Sequence, residues 1–145
     1  LLERSIKTLF IRVQAQNNNA KLIADFLENE SWVERVYYPG LKSHPNHNIA
    51  KMQMKGFGGM LSFDLVPEID SKKFLLGLDL IKPTISLAGI ESTALSPSLT
   101  SHSLLTETER LSQGITHQMI RLSAGIESIG DLKNDLLQSI KKQNL

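Results

Sequence analysis

The sequence predicts an α/β protein of the α+β sandwich kind, with a small mixed, mostly antiparallel sheet of about four strands carrying helices on one face. Three observations lead there. Segments whose apolar residues recur three and four apart alternate with short runs rich in β-branched and aromatic residues, so helices and strands interleave. Several connections contain a helix, which also admits parallel pairing. With 145 residues, 41% hydrophobic and 21% charged, the chain is a single globular domain with enough length to bury a core.

Each element has its own signal. Ile6, Leu9, Phe10 and Val13, then Ala20, Ile23, Ala24 and Leu27, fall at helical spacing across a polar interruption at Asn17, Asn18 and Asn19. Residues 1–29 therefore read as one long or broken amphipathic helix. Residues 33–38 form a strand that stops at Pro39-Gly40, and a loop leads to a short helix over 46–55. Gly56, Gly58 and Gly59 release the chain into a strand over 60–65, where Met60, Ser62 and Asp64 alternate with Leu61, Phe63 and Leu65. Pro67 and Asp70 introduce a helix carrying Phe74, Leu75 and Leu78. Residues 81–87 read as a strand, and Pro83 near its start favours an edge position. The Ser/Thr/Pro segment 92–103 reads as ordered loop, and Thr106 with Glu109 offers a capping box for a short helix ending at Gly114. The last strand spans 119–124. Ser128 with Asp131 resembles a second capping box, opening a closing helix striped by Ile129, Leu132, Leu136 and Ile140.

Composition removes several functions. Sixteen Lys and Arg against fifteen Asp and Glu leave a formal charge of +1, which provides no field for holding a polyphosphate, so nucleic-acid binding is disfavoured. The absence of cysteine removes disulfides, thiolate nucleophiles and most structural zinc sites, and fits a reducing cytoplasm. No apolar run approaches the ~18 to 20 residues that span a bilayer, so no membrane partner is expected. The run Gly56-Phe57-Gly58-Gly59 precedes a strand, whereas a phosphate cradle needs glycines that open a helix. His44 and His47 are separated by a proline-containing turn and have no third ligand near them, so no metal site is assigned.

Arg121 stands apart, because Met119-Ile120-Arg121-Leu122-Ser123-Ala124 places a permanent cation in an apolar strand. It has two explanations. A one-sided sheet would leave the guanidinium on its wet face; alternatively, its planar fork clamps a carboxylate, aimed by a rigid strand. The stretch Ile85-Ser86-Leu87-Ala88-Gly89 ends a strand in small residues, where backbone N–H groups and a hydroxyl can approach a ligand closely. Together the two places describe a half-pocket for a carboxylate, with no group able to perform bond chemistry.

Six stretches, in order, then resemble one family. Arg4-Ser5-Ile6-Lys7-Thr8-Leu9 is similar to its RGLKTL, and Val36-Tyr37-Tyr38-Pro39-Gly40-Leu41 with Ser43-His44-Pro45 to its VYYPGL..HP. Gly56-Phe57-Gly58-Gly59-Met60 matches GFGGM, and Ser86-Leu87-Ala88-Gly89-Ile90-Glu91-Ser92 resembles SLGGVES. Pro97 with Ser101-His102-Ser103 follows a P...THS pattern, and Ile120-Arg121-Leu122-Ser123-Ala124-Gly125-Ile126-Glu127 resembles IRLSVGIE. The chain thus resembles the C-terminal domain of the pyridoxal-phosphate-dependent enzymes of cysteine and methionine metabolism: cystathionine synthases, cystathionine lyases and methionine gamma-lyases.

The resemblance implies a fold-type I enzyme whose large cofactor-binding domain lies upstream, with residues 1–29 leading from it and 30–145 forming the small domain. It implies that Arg121 binds the α-carboxylate of a sulfur amino acid, supported by Ser86 and by backbone N–H groups around Ile85 and Ser86. It implies pyridoxal 5'-phosphate in the full-length enzyme, not covalently bound here, since none of the eleven lysines sits in the SxTK context of the imine-forming lysine. On this reading the chain alone carries no catalytic residue and is inactive by itself, and the parent eliminates or replaces groups at Cβ or Cγ of cystathionine, methionine or an acyl-homoserine as a homo-oligomer, a tetramer in full-length members. Ile85 replaces an acidic residue common in relatives that process cystathionine through its γ carbon, and so fits an uncharged side chain. Ala88 and Ser5 depart from the glycines of the family pattern. The other reading open at this point is a non-catalytic ligand-binding or oligomerisation module of the same fold.

Overall fold

A computed structural model describes residues 1–143. Helices α1 (Leu2–Ile6) and α2 (Leu9–Leu27) lead into β1 (Val33–Tyr37), α3 (His47–Gln53), β2 (Met60–Leu65) and α4 (Ser71–Gly77). Then come β3 (Lys82–Pro83), β4 (Thr93–Leu95), a 3-10 turn at Pro97–Leu99, α5 (Glu107–Ser112), β5 (Met119–Ser123) and α6 (Ile129–Lys141). The five strands form one sheet in the order β1-β2-β5-β4-β3. All neighbouring pairs are antiparallel except β3 with β4, so the sheet is mixed and mostly antiparallel, as expected.

One face of the sheet makes the core. Val36, Leu61, Phe63, Leu65, Ala94, Ile120 and Leu122 project from it onto Ala20, Ile23, Ala24 and Leu27 of α2, Phe74 and Leu75 of α4, and Leu132 and Leu136 of α6. Each such fully buried Leu, Ile or Phe side chain contributes roughly 1.5–3 kcal/mol. Trp32 closes one end, with its ring 6.3 Å from Phe63 and 6.0 Å from Phe74. Asp70 caps α4 by accepting from the N–H groups of Lys72 and Lys73, and Thr106 with Glu109 forms the expected capping box of α5.

A buried carboxylate ties the last helix to the sheet edge. Asp135 of α6 accepts from the N–H groups of Asp79, Leu80 and Ile81 at 2.9, 3.1 and 2.8 Å. Those three donors lie in the turn between α4 and β3, where neither helix nor ladder could satisfy them.

Four expectations need correction. The segment 92–103 is not all loop, because Thr93, Ala94 and Leu95 form a strand buried on both faces. Such a strand has no polar alternation to betray it. The strand placed at 81–87 shrinks to the edge pair Lys82–Pro83, beyond which the chain leaves the sheet. The first helix breaks at Lys7-Thr8, whereas the asparagines lie within α2; Asn19 is buried and donates to the carbonyls of Gly125 and Glu127 at 3.1 and 2.9 Å. Ser128 precedes α6 but makes no side-chain capping bond. Among the described residues no helix is long and apolar enough to cross a membrane.

Candidate functional site

The second face of the sheet carries the site. Strand alternation puts Arg121 of β5 opposite the face that meets the helices, beside Ser62 on β2 and Leu95 on β4. Both flanking side chains are uncharged. Arg121 is half-buried as a residue; its guanidinium donates from Nη2 to the carbonyl of Ile85 at 3.0 Å, and no carboxylate pairs with it among the described residues. Arg121 and the small-residue bend are therefore brought together, as the half-pocket requires.

The bend itself is held by its backbone. Thr93 Oγ1 donates to the Ser86 carbonyl at 2.6 Å, and the Ala88 N–H donates to Ser123 Oγ at 3.0 Å. Ala88 adopts φ 60°, the left-handed region, where the related pattern has glycine. The side chains of Ile85, Ser86 and Leu87 are all exposed, and among the described residues the N–H groups of Ile85 and Ser86 have no acceptor. The side chain of Ile85 borders a cavity of about 560 Å³, lined also by Leu75, Leu76, Leu95 and Leu99.

On the neighbouring strands β2 and β1 the same face holds a second polar cluster. Asp64 is buried and accepts from Tyr37 Oη and from Thr116 Oγ1, each at 2.6 Å. Burial first, then the bond to Asp64, pushes the Tyr37 phenol up to about 12. Tyr38, packed into the opposite side, is likewise pushed up to about 12 by burial, and its hydroxyl donates to the Gly58 carbonyl at 3.1 Å. The histidines serve packing and turns. His47 lies against the ring of Phe57 and its Nδ1 is 2.9 Å from the Pro39 carbonyl, while His44 Nδ1 accepts from the Asn46 N–H. The glycine run turns at Gly58, φ 88°, and delivers the chain into β2.

A model of the Cys/Met metabolism PLP-dependent enzyme family matches residues 1–141. The chain belongs to that family. Among curated members of the Cys/Met metabolism family it is 44% identical over 143 residues to the cystathionine beta-lyase of Lactococcus lactis subsp. cremoris, a match covering 99% of this chain and 38% of the relative. It is 46% identical over 140 residues to the cystathionine gamma-lyase of Dictyostelium discoideum, covering 96% of this chain and 36% of the relative. The crystal structure of cystathionine gamma-lyase from Lactobacillus plantarum complexed with L-serine superposes with a TM-score of 0.92 at 41% identity, over 97% of this chain and 37% of that one. The chain thus spans little more than a third of the length of the relatives it matches.

Pyridoxal phosphate is the cofactor of the Cys/Met metabolism family. The described residues of this chain do not build a cradle for it: the glycine run opens no helix, and no lysine among them is buried or bonded to Arg121 or to the bend. What they can do chemically is bind and orient an anion. The sequence pointed to Arg121, Ser86 and Ile85, which the fold places side by side; it did not single out Gln16, Thr93 and Ser123, which bond to the bend, or Ser92 and Glu127, which fix its end. Gln16 could have been noticed as a polar residue within the buried stripe of α2, whereas Ser92, Ser123 and Glu127 lay inside the family stretches with no sign of what they bond to.

Proposed function

We propose that this chain is the C-terminal, substrate-binding portion of a pyridoxal-phosphate-dependent enzyme acting on a sulfur amino acid, and that Arg121 is the ligand of the substrate's α-carboxylate. One observation carries the reading: a half-buried arginine on a rigid strand, without a counter-charge among the described residues, its guanidinium fixed by the Ile85 carbonyl beside unpaired backbone donors. The fork is oriented by one of its N–H groups while its other donors are left for an incoming anion. The Ser86 hydroxyl and the N–H groups of Ile85 and Ser86 complete the contact. Residues 1–29 lead from a large domain upstream, and 30–145 are the small domain.

The role of this part in the reaction is orientation. When bound, the cofactor supplies an electron sink for carbanions, and a pinned carboxylate decides which bond at Cα lies ready to break. The parent would eliminate or replace groups at Cβ or Cγ of cystathionine, methionine or an acyl-homoserine. Ile85 and the apolar cavity beside it favour the substrates with an uncharged tail. The chain alone, lacking the imine-forming lysine, is inactive.

Arg121→Ala in the full-length enzyme tests this. Each charge-assisted hydrogen bond contributes about 1.5–3 kcal/mol, so the Michaelis constant should rise at least tenfold while the visible absorbance of the cofactor imine is unchanged. An unchanged Michaelis constant would refute the assignment. The exposed apolar side chains of Leu2, Ile6, Phe10 and Ile11 favour a second reading, an oligomerisation module of the same fold.

A further inference from the structure

The segment between β3 and β4 brings the candidate anion contacts to Arg121, yet it has no side-chain core of its own, since residues 82–91 are all exposed. Its place is set from outside. Gln16 Nε2 of α2 donates to the Gly89 carbonyl at 2.7 Å, and the Ile126 N–H donates to the Ile90 carbonyl at 3.0 Å. Its far end is locked at Ser92, which is fully buried. There the N–H and the hydroxyl of Ser92 donate to the two oxygens of Glu127 at 2.5 and 2.9 Å, while the hydroxyl accepts from the Gly125 N–H at 2.8 Å.

We infer that Glu127 is a positioning residue for substrate: through Ser92 it sets where the 85–91 backbone lies against Arg121, and so how well the site holds a carboxylate. The inference rests on the reading of Arg121 as the carboxylate ligand. The geometry selects a side chain with two acceptor oxygens here. Both Ser92 donors point at Glu127, and only a carboxylate offers an acceptor to each; a carboxamide would turn its NH2 toward one of them. The hydroxyl proton is thereby committed to Glu127, which leaves the oxygen's lone pair for the Gly125 N–H. Gly125 follows the strand that bears Arg121, and a Cβ there would collide with the Ile90 carbonyl and the Ser92 nitrogen, so the end of β5 and the end of the bend are in backbone contact. Next along the chain, Thr93 Oγ1 holds the Ser86 carbonyl. Glu127 therefore controls both ends of one short path, Ser92-Thr93-Ser86 on one side and Gly125-Ser123-Ala88 on the other.

The test uses the full-length enzyme loaded with pyridoxal phosphate, titrated with L-methionine and with L-methioninamide and followed by the visible spectrum, beside thermal unfolding of each variant. Glu127→Gln should weaken methionine roughly tenfold, below the hundredfold cost that a misplacement of about 1 Å can carry, and leave methioninamide unaffected. It should add nothing in an Arg121→Ala background, because the two residues act on one contact. Ser92→Ala, which keeps the backbone bond to Glu127, should show the same selective loss and serves where Glu127→Gln fails to fold. Lower stability with wild-type methionine affinity overturns the inference, as does equal weakening of acid and amide, or a full additional loss on Arg121→Ala. If Arg121→Ala itself loses acid and amide alike, or the wild type binds methionine no better than its amide, the carboxylate reading fails and takes this inference with it.

Discussion

Ala88 is the one non-glycine residue among those described that adopts a left-handed backbone, and it does so in the bend beside Arg121. A Cβ in that region is strained against the following carbonyl by roughly 1–2 kcal/mol, partly offset by the lower chain entropy of alanine in the unfolded state. Ala88→Gly should therefore raise stability by up to about 1 kcal/mol in chemical denaturation, and no gain would mean that the bend relaxes around the methyl group. Tyr37 and Tyr38 make a different demand. Their folded pKa values, about 12 against an ordinary 10.0, favour the protonated phenol in the native state. The stability this contributes is complete below pH 10 and lost as pH rises toward 12. Denaturation midpoints should accordingly fall between these limits, and Tyr37→Phe, which has no proton to lose, should flatten that fall.

Short elements here stand on anchors more than on length. The strand β3 has two residues, one of them Pro83, and the turn before it hangs on the carboxylate of Asp135. Removing that acceptor leaves up to three N–H groups unpaired, at roughly 1–3 kcal/mol each. Asp135→Ala should cost about 3 kcal/mol or more and speed amide exchange at Leu80 and Ile81 ahead of β2 and β5. Uniform loss of protection across the sheet would show instead that the edge unfolds only with the whole. Capping boxes divide along the same line: Thr106 and Glu109 close theirs within one helical turn, whereas Ser128, with the same spacing to Asp131, makes no capping bond.

The molecule as a whole is two-faced. The second half of α2 is packed in the core, while its first half and α1 present Leu1, Leu2, Ile6, Leu9, Phe10, Ile11 and Val13 to solvent. Contiguous apolar surface of this kind is covered in stable proteins. On the proposed function the cover is the large domain, so the 145-residue chain by itself should self-associate in sedimentation velocity, and Phe10→Glu with Ile11→Lys should return it to a monomer. A wild-type chain that stays monomeric at high concentration would remove the oligomerisation reading.

Much of this was readable before any coordinates. The alternation of helix and strand periods, the edge position of Pro83, the caps at Asp70 and Thr106, and the cation at Arg121 are local properties, written in residues a few positions apart. So was the family, whose six stretches lie in order along the chain. What only the fold decided are the contacts between residues 35 to 108 positions apart: Glu127 with Ser92, Asn19 with Gly125 and Glu127, Gln16 with Gly89, Arg121 with Ile85. Nothing in sequence spacing marks such partners, because they meet only in the folded chain, where β5 lies between β2 and β4 out of chain order and α2 packs across the sheet.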